Sequence, residues 1–155
     1  MQMLLRSCAM PVLVILQSAA AFGGTFEEAG VLACVIDKWD EKEVEKGHKL
    51  VDYAGRCIGV PDDPAASKLT EECTGKYEYM ADGSWKGSGA CTDTYKTGGT
   101  KTITFEEGSH LKDYTYKVTG GTGKYEGLSG AGTYTNDPIT DTLTAGRYKA
   151  TLTLP

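Results

Sequence analysis

The chain has 155 residues, 20 of them glycine, and a formal net charge of −5 at pH 7. This length fits one domain with a core of its own, and the acidic balance argues against a nucleic-acid partner, which would need a basic face. Two histidines, His48 and His110, are too few for an obvious metal cluster, so neither a metal nor a cofactor is expected.

Residues 1–23 have the order of a secretory signal peptide. "MQMLLRSC" carries one positive charge, at Arg6, and the short apolar run that follows ends in small residues. The alternative is a membrane anchor, but the run is shorter than the roughly 20 residues of a spanning helix. Cys8 precedes the apolar run, which argues against a lipoprotein. We therefore expect an exported domain over residues 24–155, secreted or periplasmic, with no membrane contact after cleavage.

The exported domain has four cysteines, Cys34, Cys57, Cys73 and Cys91. An even number of cysteines in an exported chain suggests two disulfides, with three possible pairings. No C-x-x-C motif occurs, which disfavours a zinc site.

The first half of the domain alternates between strand-like and polar segments. A polar lead-in, GTFEEAG, is expected to be mobile and precedes a first strand, VLACVIDKW. The charged segment DEKEVEKGHK is expected to be a solvated loop or turn. A second strand region, KLVDYAGRCIGV, leads into PDDPAASKLTEE, whose prolines and aspartates predict a surface loop.

The segment CTGKYEYMADGSWKGSGAC is the clearest hairpin. Its ADG fits a three-residue loop, a type I turn followed by Gly83 in the left-handed conformation. This register sets Cys73 opposite Cys91 as a close pair that suits a disulfide. Cys34 would then join Cys57. A one-residue slip would break this register, and the rival pairing links Cys57 to Cys73 across the proline-containing loop.

The second half adds the strand-like segments YKTGGTKTITFEE, LKDYTYKV, GTYTND and AGRYKATLTLP. In the last one, Tyr148, Ala150 and Leu152 alternate with polar residues, so one face packs in a core and the other faces water. About seven or eight short antiparallel strands predict an all-β fold. The two architectures that fit are a closed up-and-down β-barrel of about eight strands and a β-sandwich.

The glycine-rich segment GGTGKYEGLSGAGTYT begins at Gly120. It does not fit a phosphate-binding loop, because Tyr125 stands where the pattern needs a serine or threonine after Gly-Lys. Glycines in a curved sheet mark tight corners, with Tyr125 and Leu128 closing one end of the core. The residues of this barrel-corner segment are Gly120, Gly121, Gly123, Tyr125, Gly127, Gly130 and Gly132.

The same stretch, TGGTGKYEGLSGAGTY, resembles the signature segment of the allene oxide cyclase and dirigent group. Members of that group have a Gly-Gly-Thr-Gly run, an aromatic residue and a glycine-rich return into a strand. The resemblance covers residues 105–134 and implies an eight-stranded barrel of calycin-like shape, an exported bacterial-type member and a homo-oligomer, either trimer or dimer. The four cysteines and the segment DKWDEKEVEKGHK depart from the plant members.

A barrel enzyme of this kind would place a carboxylate, a tyrosine or an arginine inside an apolar cavity. Burial there raises the pKa of a carboxylate and suits it for proton transfer. The catalytic candidates are Asp52, Asp113 and Arg147, and Glu78 and Glu106 also lie in strand-like positions. The alternative for all of them is an outward, solvated side chain.

Aromatic residues on the predicted strands are candidates to line a pocket for an apolar or ring-shaped ligand. These residues are Tyr53, Tyr77, Tyr79, Trp85, Phe105, Tyr114, Tyr116 and Tyr148, with Tyr95 as a ninth. The alternative is that they are ordinary core or cross-strand pairs.

Three functions follow from this reading: an exported barrel that binds a small apolar ligand, a cyclase or isomerase of the allene oxide cyclase type, or a structural domain without a pocket. A purely apolar open cavity would favour the first, and a carboxylate beside tyrosine or arginine in that cavity would favour the second. An interior filled by side chains would leave the third.

Overall fold

The computed structural model describes residues 23–155, so the predicted signal peptide lies outside the described residues except for Gly23. The strands are β1 (Gly24–Glu45), β2 (His48–Pro61), β3 (Leu69–Tyr79), β4 (Trp85–Tyr95), β5 (Thr100–Gly108), β6 (Tyr114–Gly121), β7 (Ser129–Tyr134), β8 (Asp137–Pro138) and β9 (Leu143–Leu154). A single 3-10 turn, Gly123–Tyr125, connects β6 to β7. Within residues 23–155 no helix has the length and hydropathy to cross a membrane.

The strands form one antiparallel sheet that closes on itself. Strands β1 to β7 pair in chain order, β7 pairs with β9, and β9 pairs back onto β1 to close the ring. The two-residue β8 pairs with β9 just beyond β7 and extends the same position of the ring. The structure therefore confirms the all-β prediction and has the barrel architecture, with eight strand positions, rather than a sandwich.

Side chains alternate between the barrel interior and the solvent, as a pleated strand requires. In β9, Tyr148, Ala150 and Leu152 are buried, whereas Lys149 and Thr151 between them are exposed. The interior contains one continuous cluster of buried aromatic, aliphatic and cysteine side chains from six strands and the β6–β7 connection.

Two predictions about the ends of β1 are wrong. The lead-in GTFEEAG is strand rather than a mobile segment, because it supplies the β1 backbone that closes the barrel against β9, with Gly24 opposite Leu154. The charged segment is also strand as far as Glu45, because its backbone pairs with β2 and an ion pair joins Glu41 to Lys49 at 2.6 Å. Residues 37–47 are all exposed.

One more boundary differs from the prediction. The proline-containing loop ends at Lys68, and β3 begins at Leu69, so LTEE belongs to the strand. The reason is alternation, since Leu69 and Glu71 point into the barrel and are buried, whereas Thr70 and Glu72 are exposed.

The β3–β4 hairpin has the predicted register. Gly83 has a φ of +85°, as the left-handed turn position requires. Cys73 lies opposite Cys91 with a Cα–Cα distance of 4.1 Å, and the two form a disulfide. A second disulfide joins Cys34 in β1 to Cys57 in β2, so the rival Cys57–Cys73 pairing is not present. Both disulfides are interior, and they favour an oxidising environment outside the cytosol.

The glycine-rich segment forms the corner at one end of the barrel. Gly123 and Gly127 have positive φ angles, so the chain can reverse between β6 and β7. Leu128 is 2% exposed and fills this end. The ring of Tyr125 stacks on Tyr95 with centroids 4.1 Å apart, which completes the closure. We call this the closed end.

Candidate interior binding site

The interior of the barrel contains a cavity of about 230 Å³. All eight aromatic residues predicted to line a pocket lie on its wall: Tyr53, Tyr77, Tyr79, Trp85, Phe105, Tyr114, Tyr116 and Tyr148. The ninth candidate, Tyr95, lies beyond the wall at the closed end, where it stacks on Tyr125. The interior is therefore not filled by side chains.

The end of the barrel opposite the closed end carries an aromatic rim. We define this rim as Trp39, Tyr53, Tyr79, Trp85 and Tyr114, which line the cavity and retain partial exposure. Ring centroids in the rim lie close together, with 6.0 Å between Tyr79 and Trp85 and 5.9 Å between Trp85 and Tyr114. The rings of the rim therefore present apolar faces and edges that a ligand in the cavity can contact.

Trp39 was not among the sequence candidates for this site. It comes from the part of β1 that extends past β9 and has β2 as its one neighbouring strand among the described residues. Its ring lies 5.2 Å from that of Tyr77, over the cavity. Trp39 is the last residue of the predicted first strand, and the charged segment predicted to be a loop begins directly after it, so Trp39 was not grouped with the aromatic residues inside the strands.

Glu107 lies just below the rim and is 7% exposed. The hydroxyl of Tyr77 donates to one of its carboxylate oxygens at 2.8 Å, and the hydroxyl of Tyr134 donates to the other at 2.7 Å. Burial raises the pKa of Glu107 above its ordinary value, and these two hydrogen bonds offset the rise in part. Burial beside Glu107 raises the pKa of Tyr77 and of Tyr134 as well.

A second polar group, which we call the inner charged cluster, lies towards the closed end and comprises Glu28, Glu71, Asp93 and Lys101. The Lys101 ammonium lies 2.9 Å from Glu28 and 3.1 Å from Asp93. Lys101 and Asp93 are each 2% exposed. Burial alone would lower the pKa of Lys101, but the neighbouring carboxylates outweigh it and raise that pKa, so Lys101 stays charged.

Glu71 is the acid of this cluster that forms no ion pair with Lys101, whose partners are Glu28 and Asp93. Burial raises its pKa well above the ordinary value, and the charge of Asp93 adds to the rise. Burial and the neighbouring Asp93 therefore favour the protonated form of Glu71, which can donate its proton in a hydrogen bond to Asp93. One of its carboxylate oxygens lies 3.4 Å from the Cys73 sulfur, so it also packs against the interior disulfide.

Three buried polar atoms in the cavity wall lack a hydrogen-bond partner among the described side chains. They are the hydroxyls of Tyr116 and Tyr148 and one carboxylate oxygen of Asp93, to which Glu71 can offer its proton. The two tyrosines are 5% and 6% exposed. Buried polar groups in proteins are nearly always paired, so these atoms mark a place where a ligand or water completes the site.

The sequence-predicted catalytic candidates lie on the outside of the barrel. Asp52 is exposed and pairs with Lys76 at 2.9 Å, and Arg147 is exposed and pairs with Asp62. Asp113 is exposed in the bend before β6. In the structure the side chains of these three residues therefore face solvent and not the cavity.

Glu78 and Glu106 also point away from the cavity. Glu78 is bound by His48 and Lys86, each at 2.9 Å, and Glu106 is exposed. His110 is exposed in the turn after β5. The interior acids are instead the neighbours of outward ones, Glu107 beside Glu106 and Glu71 beside Glu72.

Among residues 23–155, one group of three side chains has the spacing of a metal site: Glu71, Cys73 and Cys91. The two cysteines are joined as a disulfide, so they offer no thiolate to a metal in this form.

Comparisons with known proteins support the fold and do not identify a function. No family model matches the chain, and no curated protein matches its sequence. The pterocarpan synthase dirigent protein GePTS1 is similar in structure, with a TM-score of 0.57 and 11% identity over 84% of this chain and 90% of that one. A protein of unknown function from the DUF3224 family of Shewanella oneidensis MR-1 gives a TM-score of 0.60 at 12% identity, over 83% and 96% of the two chains.

A second pterocarpan synthase dirigent protein, PsPTS1, gives a TM-score of 0.55 at 11% identity, over 83% of this chain and 94% of that one. Together these likenesses define the class of fold: a small dirigent-like β-barrel, as the resemblance in the glycine-rich segment implied. These likenesses assign no role to any residue of the cavity, because proteins that share a fold can differ in their functional sites.

Proposed function

We propose that this barrel binds a small, mainly apolar or aromatic molecule in its interior. The observation that carries the proposal is the cavity of about 230 Å³ that lies between an aromatic rim and a closed end. Ligand pockets typically combine an apolar, aromatic lining with a few polar groups that fix orientation. Glu107 and the inner charged cluster supply those polar groups.

The binding proposal is tested with the neutral fluorescent probe N-phenyl-1-naphthylamine. We expect its fluorescence to rise on binding and Trp85→Ala to weaken its affinity by about tenfold or more, because a rim wall is removed. The matched control is Ile58→Ala, on the outer face of β2 and 59% exposed, which should bind the probe as the parent chain does. Unchanged binding in Trp85→Ala would place the probe elsewhere and contradict the proposal.

Mass spectrometry under native conditions supplies an independent test of the same proposal. Protein purified from its own host should retain a co-purified small molecule, released on unfolding. Repeated absence of any such molecule would count against a carrier.

A second candidate function is proton transfer in a cyclase- or isomerase-type reaction. The specific observation is that Glu107, a buried carboxylate with a raised pKa, lies beside two tyrosine hydroxyls in an open cavity. A general acid or base works best when its pKa approaches the operating pH. Two proteins of similar fold are pterocarpan synthase dirigent proteins, so this fold can accompany a synthase function. That likeness concerns the fold and not the residues around Glu107.

The catalytic candidate is tested by hydrogen–deuterium exchange at the α-carbon of 2-tetralone in D₂O, followed by NMR. We expect the parent chain to accelerate exchange and Glu107→Gln to abolish the acceleration, because glutamine preserves the shape but carries no exchangeable acid proton. The control is Glu106→Gln, which alters the exposed neighbour. Equal exchange with Glu107→Gln and the parent chain would remove Glu107 from that role.

We also propose that the chain is exported, either secreted or periplasmic. Two interior disulfides and the order of residues 1–23 support this. N-terminal sequencing of the protein from its host would test it, with cleavage near residue 23 as the expected result.

A further inference from the structure

The inner charged cluster has an unequal balance of charge. Glu28 and Asp93 supply two carboxylates to the single ammonium of Lys101. With Glu71 protonated, one negative charge remains, and with Glu71 ionised, two remain. An uncompensated charge in a buried site is costly, so this site favours a cation.

The unpartnered atoms of the cavity wall have the matching hydrogen-bonding character. The unpartnered oxygen of Asp93 can accept two hydrogen bonds, one from protonated Glu71 and one from a ligand, and the hydroxyls of Tyr116 and Tyr148 can each accept one. Tyr116, Tyr148, Asp93 and Lys101 all line the cavity. Burial raises the pKa of both tyrosines, and the charges of Glu28, Lys101 and Asp93 act on both as well.

The walls between this cluster and the rim are apolar. Lys101, Ile103, Phe105 and Glu107 are the inward residues of β5, in that order from the closed end. Six residues of strand span about 20 Å. A molecule that reaches from the rim to the inner charged cluster is therefore elongated, with an apolar body beside Ile103 and Phe105.

From this arrangement we propose that the inner charged cluster is a subsite for the positively charged amino group of an elongated, otherwise apolar ligand. The ammonium group donates to the second lone pair of that Asp93 oxygen and to the tyrosine hydroxyls, and its charge balances the excess carboxylate. The inference rests on the proposed binding function and adds the chemical class of the ligand to it.

The test compares three probes with the same ten-carbon chain: decylamine, 1-decanol and decanoate. Their binding is measured directly by the fluorescence of Trp39 and Trp85, the two tryptophans of the chain, both of which line the cavity. We expect decylamine to bind at least about tenfold more tightly than the other two. Equal binding of decanol or decanoate, or no binding of decylamine, overturns the inference.

Variants separate the inner charged cluster from a surface effect of the acidic protein. Asp93→Asn should reduce the preference for decylamine over decanol by about tenfold, whereas Asp52→Asn, the same change on the outer face of β2, should preserve it. If Asp93→Asn does not fold, Tyr148→Phe removes an unpartnered hydroxyl and keeps the ring, and it should weaken decylamine binding severalfold without weakening decanol binding. Retention of the full preference in the folded variants overturns the inference.

The binding proposal is read out separately by N-phenyl-1-naphthylamine. Binding of that neutral probe without a preference for decylamine rejects the amine subsite and keeps the binding function. Failure of all four probes to bind rejects both.

Discussion

The acids in the barrel show how much depends on which of two neighbouring residues faces inward. Glu71 and Glu72 are adjacent in β3, yet Glu71 is 7% exposed and Glu72 lies on the outer surface. The same contrast separates Glu107 from Glu106 in β5. Alternation turns a pair of identical residues into one solvated charge and one buried acid.

The raised pKa of Glu71 predicts an unusual dependence of stability on pH. A carboxyl group whose pKa is raised on folding stabilises the protein below its ordinary value of 4.5, and this contribution is lost as the pH rises through the folded value. Glutamine has the shape of the protonated acid and cannot ionise. We therefore expect Glu71→Gln to have a higher free energy of unfolding than the parent chain at pH 8.

Urea unfolding at about pH 5 and about pH 8 measures this effect, and Glu72→Gln is the control. The difference between Glu71→Gln and the parent should shrink at the lower pH, and Glu72→Gln should match the parent at both. A gain for Glu71→Gln that is the same at both pH values would contradict the ionisation argument.

Sequence alternation alone could have identified Glu107. Ile103 and Phe105 lie two residues apart in the strand-like segment YKTGGTKTITFEE, and Glu107 continues that spacing on the same face. Glu71 offered no such signal, because the segment that contains it was interpreted as a loop. Asp52 and Arg147 misled for the opposite reason, since each lies in a strand but on its outer face.

At the scale of the strands, aromatic rings lie against glycines on the neighbouring strand. Tyr77 is opposite Gly87, Phe105 is opposite Gly89, and Tyr116 is opposite Gly132. A Cβ atom at Gly87 would meet the ring of Tyr77. Glycine at these positions therefore gives each ring its orientation along the cavity wall.

This pairing predicts that Gly87→Ala costs stability and disturbs the site. A methyl group there displaces the Tyr77 ring, so we expect a loss of about 1–3 kcal/mol and weaker binding of N-phenyl-1-naphthylamine. Gly24→Ala is the control, because a Cβ at Gly24 meets no atom within 4 Å. Equal stability of the two variants in urea would show that the ring does not depend on Gly87.

The strands also differ in how far local sequence determined them. The β3–β4 hairpin was predictable to the residue, because the turn at Gly83 fixes the register and both strands lie beside it in the chain. The two ends of β1 were not, since their strand character comes from pairing with β9 and β2 and not from their own composition. Charged residues are ordinary on such an exposed edge, where they discourage pairing with other chains.

At the scale of the whole molecule, the two disulfides are the covalent constraints on the barrel. They enclose sequence separations of 23 and 18 residues. Loops of this length are associated with about 3 kcal/mol each in the chain-entropy model. Complete reduction should therefore lower the free energy of unfolding by several kcal/mol.

This prediction is checked by urea unfolding before and after reduction, with free thiols titrated to establish that reduction is complete. Because both disulfides are interior, reduction should require partial unfolding and proceed slowly in native buffer. An unchanged unfolding midpoint in the fully reduced protein would contradict the expected contribution.

The closure of β9 onto β1 has a consequence for how the barrel is made during synthesis. Thr25 and Thr153 bond to each other although 128 residues separate them, while most other strand pairs are neighbours in the chain. The ring therefore stays open, with the β1 edge unpaired, until β9 has been synthesised. Closing so long a loop is slow. A chaperone would therefore bind the chain while the β1 edge is unpaired, and a ligand could bind in the cavity only after β9 has paired with β1.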